Sequence, residues 1–187
     1  MNRKELEHLI RAASAITNEY EIMVVGSQSI LGSVPEAPDF LLSTMEADVF
    51  PLKRPDLAHL IDGAIGELSP FEENFGYYAH GVGPETVILP TGWETRIVKI
   101  QNENTDLRIG YCLEPHDLAA SKLAAGREKD KQFVEAMLEH KIVEMTVVKE
   151  RVRLLPIPEE RKMTVVSWLV GRLEQQDKKR SSTGFKP

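Results

Sequence analysis

Two short segments constrain this chain more than any other feature. Glu21-Ile22-Met23-Val24-Val25-Gly26-Ser27 reads as a buried β-strand running into a small-residue turn, with Ser27 to Leu31 turning into a short helix. Ser43-Thr44-Met45-Glu46-Ala47-Asp48-Val49-Phe50 reads as a second strand. Glu46 and Asp48 stand two apart on it, so both carboxylates point to the same face. Such a pair is repulsive unless solvent, a cation or a basic neighbour neutralises it. Gly26 lacks a side chain, which lets backbone amides approach a phosphate closely, and Ser27 adds a hydroxyl. Hard carboxylate oxygens suit Mg²⁺, which takes one or two protein carboxylates plus substrate phosphates. The plainer alternatives are a Gly-Ser pair that only turns the chain and an exposed edge strand carrying two solvated acids.

The order of elements predicts a mixed α/β half followed by a helical half. Leu6, Leu9, Ile10, Ala13 and Ile16 recur at helical spacing within residues 3–16. Ile22 to Val25 and Ala47 to Phe50 are the strands just described, with a Pro35–Pro38 loop between them. Leu57, Leu60, Ile61 and Ile65 predict a helix over Asp56 to Ile65, started by Pro55. Gly66 to Gly76 reads as a loop. Strands are expected at Tyr77 to His80, Thr86 to Leu89, Arg96 to Ile100 and Ile109 to Leu113. Helices are expected at Leu118 to Ala125, Asp130 to His140, Met145 to Leu155 and Glu159 to Gln175. The fold class is therefore α/β (α+β), a mixed sheet flanked by helices with a C-terminal helical bundle. Residues 1–114 form the expected core, 115–176 a helical region packed on it, and 177–187 a polar tail expected to be disordered.

Composition narrows the class further. The 187 residues carry a net charge of −6, which argues against a general nucleic-acid coat protein, although Lys122 to Lys131 and Lys149 to Arg153 concentrate positive charge. No apolar run approaches the ~18 residues of a membrane span. Acidic residues occupy the first positions where a signal peptide needs an apolar stretch, so a cytoplasmic location is expected. A lone cysteine, Cys112, excludes an internal disulfide framework and a multi-cysteine zinc site. Its apolar strand surroundings predict a buried, inert thiol.

A third segment adds cations to the two carboxylates. Pro115 and its neighbouring acids start a helix, Gly126 ends it, and a second helix starts near Glu128. Lys122 and Arg127 could then flank one cleft and contact triphosphate oxygens. The alternative is a solvated surface with Arg127 and Asp130 paired across the turn.

The pattern Leu118-x-x-x-Lys122-Leu123-x-Ala125-Gly126-Arg127-x-Lys129-Asp130, after Gly26-Ser27 and Thr44-Met45-Glu46-Ala47-Asp48, resembles the nucleotidyltransferase superfamily of polymerase-β-like fold. Within it, the helical motif looks like that of the group containing the AbiEii-type toxins of bacterial toxin–antitoxin systems. The resemblance covers residues ~22 to ~135, with the three motifs in the expected order. It implies metal-dependent transfer of a nucleotidyl group from an NTP to an acceptor hydroxyl on tRNA, a protein or a small molecule. Glu46 and Asp48 would hold Mg²⁺, Gly26 and Ser27 would position the triphosphate, and Lys122 would neutralise phosphate charge with Arg127 nearby. Asp130 would orient Arg127 or the helix start. An antitoxin partner is implied, and a homodimer through the helix bearing Trp168 is a further expectation.

The chain departs from that pattern in two ways. The interval from Ser27 to Glu46 is long, which makes the Pro35–Pro38 loop an insertion. The third carboxylate that the superfamily often carries on a later strand is missing from Tyr77-Tyr78-Ala79-His80, where His80 or Glu85 would have to substitute. A degenerate module that binds nucleotide or a protein partner without turnover is the alternative reading. His116 and Asp117 are assigned capping and dipole roles, and Trp93 a place at the sheet's edge or against a base.

Overall fold

The structure, a computed structural model, describes residues 1–183, with side chains to residue 172. The chain opens with α1 (Arg3–Thr17), whose apolar stripe of Leu6, Leu9, Ile10 and Ala13 is buried. A reciprocal cap fixes its start: Glu5 N donates to Asn2 Oδ1 at 3.0 Å and Asn2 N to the Glu5 carboxylate at 2.7 Å. Asn18 ends it in the left-handed conformation, as Asn tolerates. β1 (Glu21–Val25) follows, then a 3-10 turn over Ser27–Gly32 where a short helix was expected, and a second over Asp39–Leu42 after the Pro35–Pro38 loop. β2 (Glu46–Pro51), α2 (Ala58–Ile65), α3 (Pro70–Phe75) and β3 (Tyr78–Gly81) come next. β4 (Val98–Ile100) and β5 (Ile109–Cys112) complete the strands, and α4 (Pro115–Ala125), α5 (Glu128–Glu139), α6 (Met145–Arg153) and α7 (Glu159–Thr183) close the chain.

The strands form one mixed sheet in the order β3-β2-β1-β5-β4. β1 runs antiparallel to β2 and parallel to β5, β2 runs parallel to β3, and β4 runs antiparallel to β5. β1 sits at the centre, which explains its unbroken apolar run: Ile22 to Val25 are all fully buried. α1 reaches the sheet closely because β5 offers Gly110 there; a Cβ on Gly110 would stand 2.4 Å from Ile10 Cδ1. The α+β class expected from the sequence is the observed one.

Four local expectations change. The alternative of an exposed edge strand does not hold, because β2 lies between β1 and β3. No strand forms at Thr86 to Leu89. Pro84 starts a 3-10 turn over Pro84–Thr86, and Val87 to Leu89 become half-buried wall between it and Pro90. The expected loop from Gly66 to Gly76 contains α3, which Ser69 caps by accepting from Glu72 N at 3.2 Å and Gly76 ends at φ +75°. α7 runs to Thr183, past the expected end at Gln175 and into the segment expected to be disordered. The rest of that expectation, 184–187, lies outside the described residues.

The helices after β5 are held by charge as well as apolar packing. Asp117 is buried on α4 and accepts from Arg96 Nε at 2.7 Å and NH2 at 3.1 Å. Arg151 of α6 lies 3.0 Å away on its other side. The cap of α4 is instead Glu114, which accepts from His116 N at 3.1 Å and Asp117 N at 3.3 Å. Asp117 thus ties α4 to the segment before β4 and to α6 rather than serving as a cap. Part of the positive cluster from Lys149 to Arg153 is accordingly spent on structure. Trp168 packs half-buried against the core beside buried Leu169, with the Arg172 guanidinium 5.6 Å from its ring centre.

Candidate active site

Strand register builds the acidic wall. Asp48 pairs with Val25 of β1 on one side and with His80 of β3 on the other, and Glu46 pairs with Tyr78. Residues two apart on a strand share a face, so Glu46, Asp48, Tyr78 and His80 form a two-by-two array. His80 Nδ1 lies 3.2 Å from Asp48 Oδ1 and 3.3 Å from Glu46 Oε1. Tyr78 Oη donates to Glu46 Oε2 at 3.1 Å, and burial together with that carboxylate pushes the phenol up to about 12. One ligand atom from each of Glu46, Asp48 and His80 lies within 4.8 Å of the other two.

The array carries charges that oppose and relieve one another. Burial and then the neighbouring Glu46 raise the Asp48 carboxyl above its ordinary value, against the pull of His80. Burial alone would lower the His80 imidazolium, but its hydrogen bond to Asp48 and the charges of Asp48, Glu46 and Asp62 outweigh burial and raise it.

Gly26 closes the angle between β1 and this wall. Its backbone sits at φ +66° and ψ −163°, a region reserved for glycine. A Cβ there would stand 2.3 Å from Asp48 Oδ2. The Gly-Ser turn is therefore more than a change of direction, because the Asp48 carboxylate occupies the space a side chain would need. Gln28, buried in the turn, donates from Nε2 to Thr44 O at 3.0 Å and Thr44 Oγ1 at 2.7 Å. That bond fastens the approach to β2 onto the turn after β1. The sequence carried no signal for it beyond a polar residue inside an apolar turn.

The cationic wall comes from α4 and α5. Lys122 Nζ donates to Ser27 Oγ at 2.8 Å and to Asp130 Oδ1 at 3.1 Å, and lies 5.0 Å from the ring centre of Phe133. Asp130 is fully buried and accepts from Arg127 Nε at 2.6 Å and NH2 at 3.3 Å. The pairing of Arg127 with Asp130 across the turn is thus real, and it also orients Arg127 toward the site. Burial lowers the Lys122 ammonium below its usual value, and the Asp130 charge opposes that. For Asp130, burial works upward, yet Arg127 and Lys122 outweigh it and hold the carboxyl low.

The two walls face one cavity of about 570 Å³, in the range that holds a nucleotide-sized ligand. Gly26, Ser27, Glu46, Asp48, Lys122 and Arg127, the six residues singled out in the sequence, all line it. His80, Phe40 of the 3-10 turn before β2, Thr44 and the Val87–Ile88 wall line it too. Glu85, the other candidate for a third acid, is exposed in the 3-10 turn after β3 and is not among the lining residues. Trp93 is not among them either; it packs half-buried against the core. Cys112 is buried away from the cavity, its thiol pushed up by burial to about 12.

A mixed sheet with a glycine turn after its central strand, a paired-carboxylate strand beside it and a lysine helix across the cleft defines a nucleotidyltransferase-like α+β fold. Over residues 4–178 the chain matches the family described as nucleotidyltransferase of unknown function (DUF6036), and it belongs to that family. No curated protein and no solved structure matches it significantly.

Proposed function

We propose that this protein is a divalent-cation-dependent nucleotidyltransferase that moves a nucleotidyl group from an NTP to an acceptor hydroxyl. The observation that carries this reading is the meeting of Glu46 and Asp48 with Ser27, Lys122 and Arg127 around one cavity. Anionic wall, cationic wall and a small-residue turn are the parts phosphoryl transfer needs, since its catalysis is mostly positioning and charge stabilisation.

The residues fit a cation. The Asp48 carboxylate occupies the space that a side chain on Gly26 would need, and two hard oxygen donors converge beside an imidazole nitrogen. Glu46 and Asp48 would hold the ion, and Mg²⁺ is the proposed cofactor by resemblance. When bound, such an ion neutralises phosphate charge and orients the oxygens of an in-line displacement. Hydrogen bonds to Ser27 and Asp130 hold Lys122 at the cavity, which supports a phosphate-binding role, with Arg127 beside it as a second donor. In the proposed reaction the acceptor oxygen bonds to the α-phosphorus, the bond from that phosphorus to pyrophosphate breaks, and the hydroxyl proton is released.

The motif order supports the likeness to AbiEii-type toxins, and with it a toxin role, an antitoxin partner and an RNA or protein acceptor. No described helix is long and apolar enough to cross a membrane. A second reading, nucleotide binding without turnover, is favoured by one observation: among the described residues, histidine rather than a third carboxylate joins Glu46 and Asp48.

Calorimetric titration with a non-hydrolysable NTP tests the site. Asp48→Ala is expected to abolish metal-dependent binding, and Lys122→Ala to weaken the triphosphate more than the corresponding nucleoside. Unchanged affinity in Asp48→Ala, or equal losses for both ligands in Lys122→Ala, would contradict the assignment.

A further inference from the structure

The position opposite Asp48 on β3 has chemistry that two carboxylates alone do not give. We propose, resting on the reading above, that His80 is a third metal ligand and that it biases the site toward a first-row transition ion such as Mn²⁺ over Mg²⁺.

The geometry is the argument. An octahedral ion with bonds of about 2.1 Å sets neighbouring donor atoms about 3.0 Å apart. His80 Nδ1 stands 3.2 Å from Asp48 Oδ1 and 3.3 Å from Glu46 Oε1, close to that edge length. The β2–β3 register pairs Asp48 directly with His80 and puts Glu46 two residues along the same face. All three donors therefore come from adjacent parallel strands, which fix a site more tightly than loops do. Tyr78, two residues before His80 on that face, holds the second Glu46 oxygen and orients the carboxylate as a supporting partner does at metal centres.

The donor set determines the preference. Mg²⁺ is a hard cation that favours an all-oxygen shell, whereas an imidazole nitrogen binds first-row divalent ions increasingly well from Mn²⁺ onward. An all-oxygen set would lack this nitrogen contribution to the preference. A His80 acting only as a counter-charge to the two acids would instead compete with any cation, and its removal would tighten binding.

The test measures the metal itself. Mn²⁺ and Mg²⁺ are titrated separately into the full-length protein, with and without a non-hydrolysable NTP, for wild type, His80→Gln and His80→Asp. Pulsed electron paramagnetic resonance of bound Mn²⁺ then reports directly coupled nitrogen. Expected are a ¹⁴N modulation in wild type that is lost in His80→Gln, and a fall in Mn²⁺ affinity of at least about 10-fold, the loss that removing even a supporting residue brings. His80→Asp should shift the preference toward Mg²⁺. The His80 side chain is 49% exposed, so its replacement opens no cavity in the core, and the wild-type spectrum needs no variant. Bound Mn²⁺ without nitrogen coupling, or tighter Mn²⁺ binding in His80→Gln, overturns the role of His80 and leaves the Glu46–Asp48 site standing. Wild type that binds neither ion, even with nucleotide, overturns both.

Discussion

Replacing Gly26 by alanine tests how β1 and β2 share space at the cavity. The added methyl would stand 2.3 Å from Asp48 Oδ2 and 3.3 Å from its Cγ. The backbone at φ +66° and ψ −163° adds strain for any L-residue, about 1–3 kcal/mol. Overpacking against the carboxylate adds about 1–3 kcal/mol more, reduced to the extent that Asp48 can swing away. A total of about 2–6 kcal/mol follows, a fall in Tm of roughly 4–24 °C for a chain of this size. In an Asp48→Ala background only Cβ remains, at an ordinary contact distance of 3.5 Å. There the same substitution should cost only the backbone share, so the cycle should show a coupling of about 1–3 kcal/mol. Asp48→Ala alone should be neutral or slightly stabilising, because burial and Glu46 both disfavour that charge. Urea unfolding of the four proteins measures each term. An equal cost for Gly26→Ala in both backgrounds would refute the steric argument.

Two further predictions follow from buried groups on either side of the site. Asp130→Asn strands the Lys122 ammonium, whose side chain is only 11% exposed, and should cost about 2–4 kcal/mol near neutral pH. The mostly exposed Arg127 contributes little to that sum. Because the folded state holds the Asp130 carboxyl below its ordinary value, its stabilisation is complete above about pH 4 and fades as pH falls through the lower folded value. The gap between wild type and Asp130→Asn should therefore close on acidification; a pH-independent gap would contradict the ion pair. Cys112, buried with its thiol pushed up to about 12, should resist alkylation at pH 8 until the protein unfolds, and native labelling at full stoichiometry would place it elsewhere.

Much of this organisation is local and so was readable from the sequence. The apolar run of β1, the two-residue spacing of Glu46 and Asp48 and the periodicity of α1 each express a single element. Pairing is not local. Nothing in Tyr77 to His80 announces that its histidine falls opposite Asp48, because that register depends on where β3 docks beside β2. Asp117 looked like a cap because it follows Pro115 at a helix start, while its partners Arg96 and Arg151 are distant in sequence. α3 had a local signature, with Ser69 before Pro70, Glu72 three residues on and Gly76 at the end, but the density of Gly and Pro around it read as loop. Val87 to Leu89 have strand composition, yet with Pro84 and Pro90 flanking them they form no strand, and Val87 and Ile88 serve as cavity wall.

The most direct measurement follows the α-phosphate. Wild type and Asp48→Ala are incubated with α-labelled or γ-labelled ATP, CTP, GTP and UTP, with Mg²⁺ or Mn²⁺, in the presence of total tRNA or cell protein. The prediction is α-label joined covalently to one acceptor class, no γ-label, and neither in Asp48→Ala. Label that is indifferent to Asp48, or no transfer from any NTP, would contradict the proposed transferase activity.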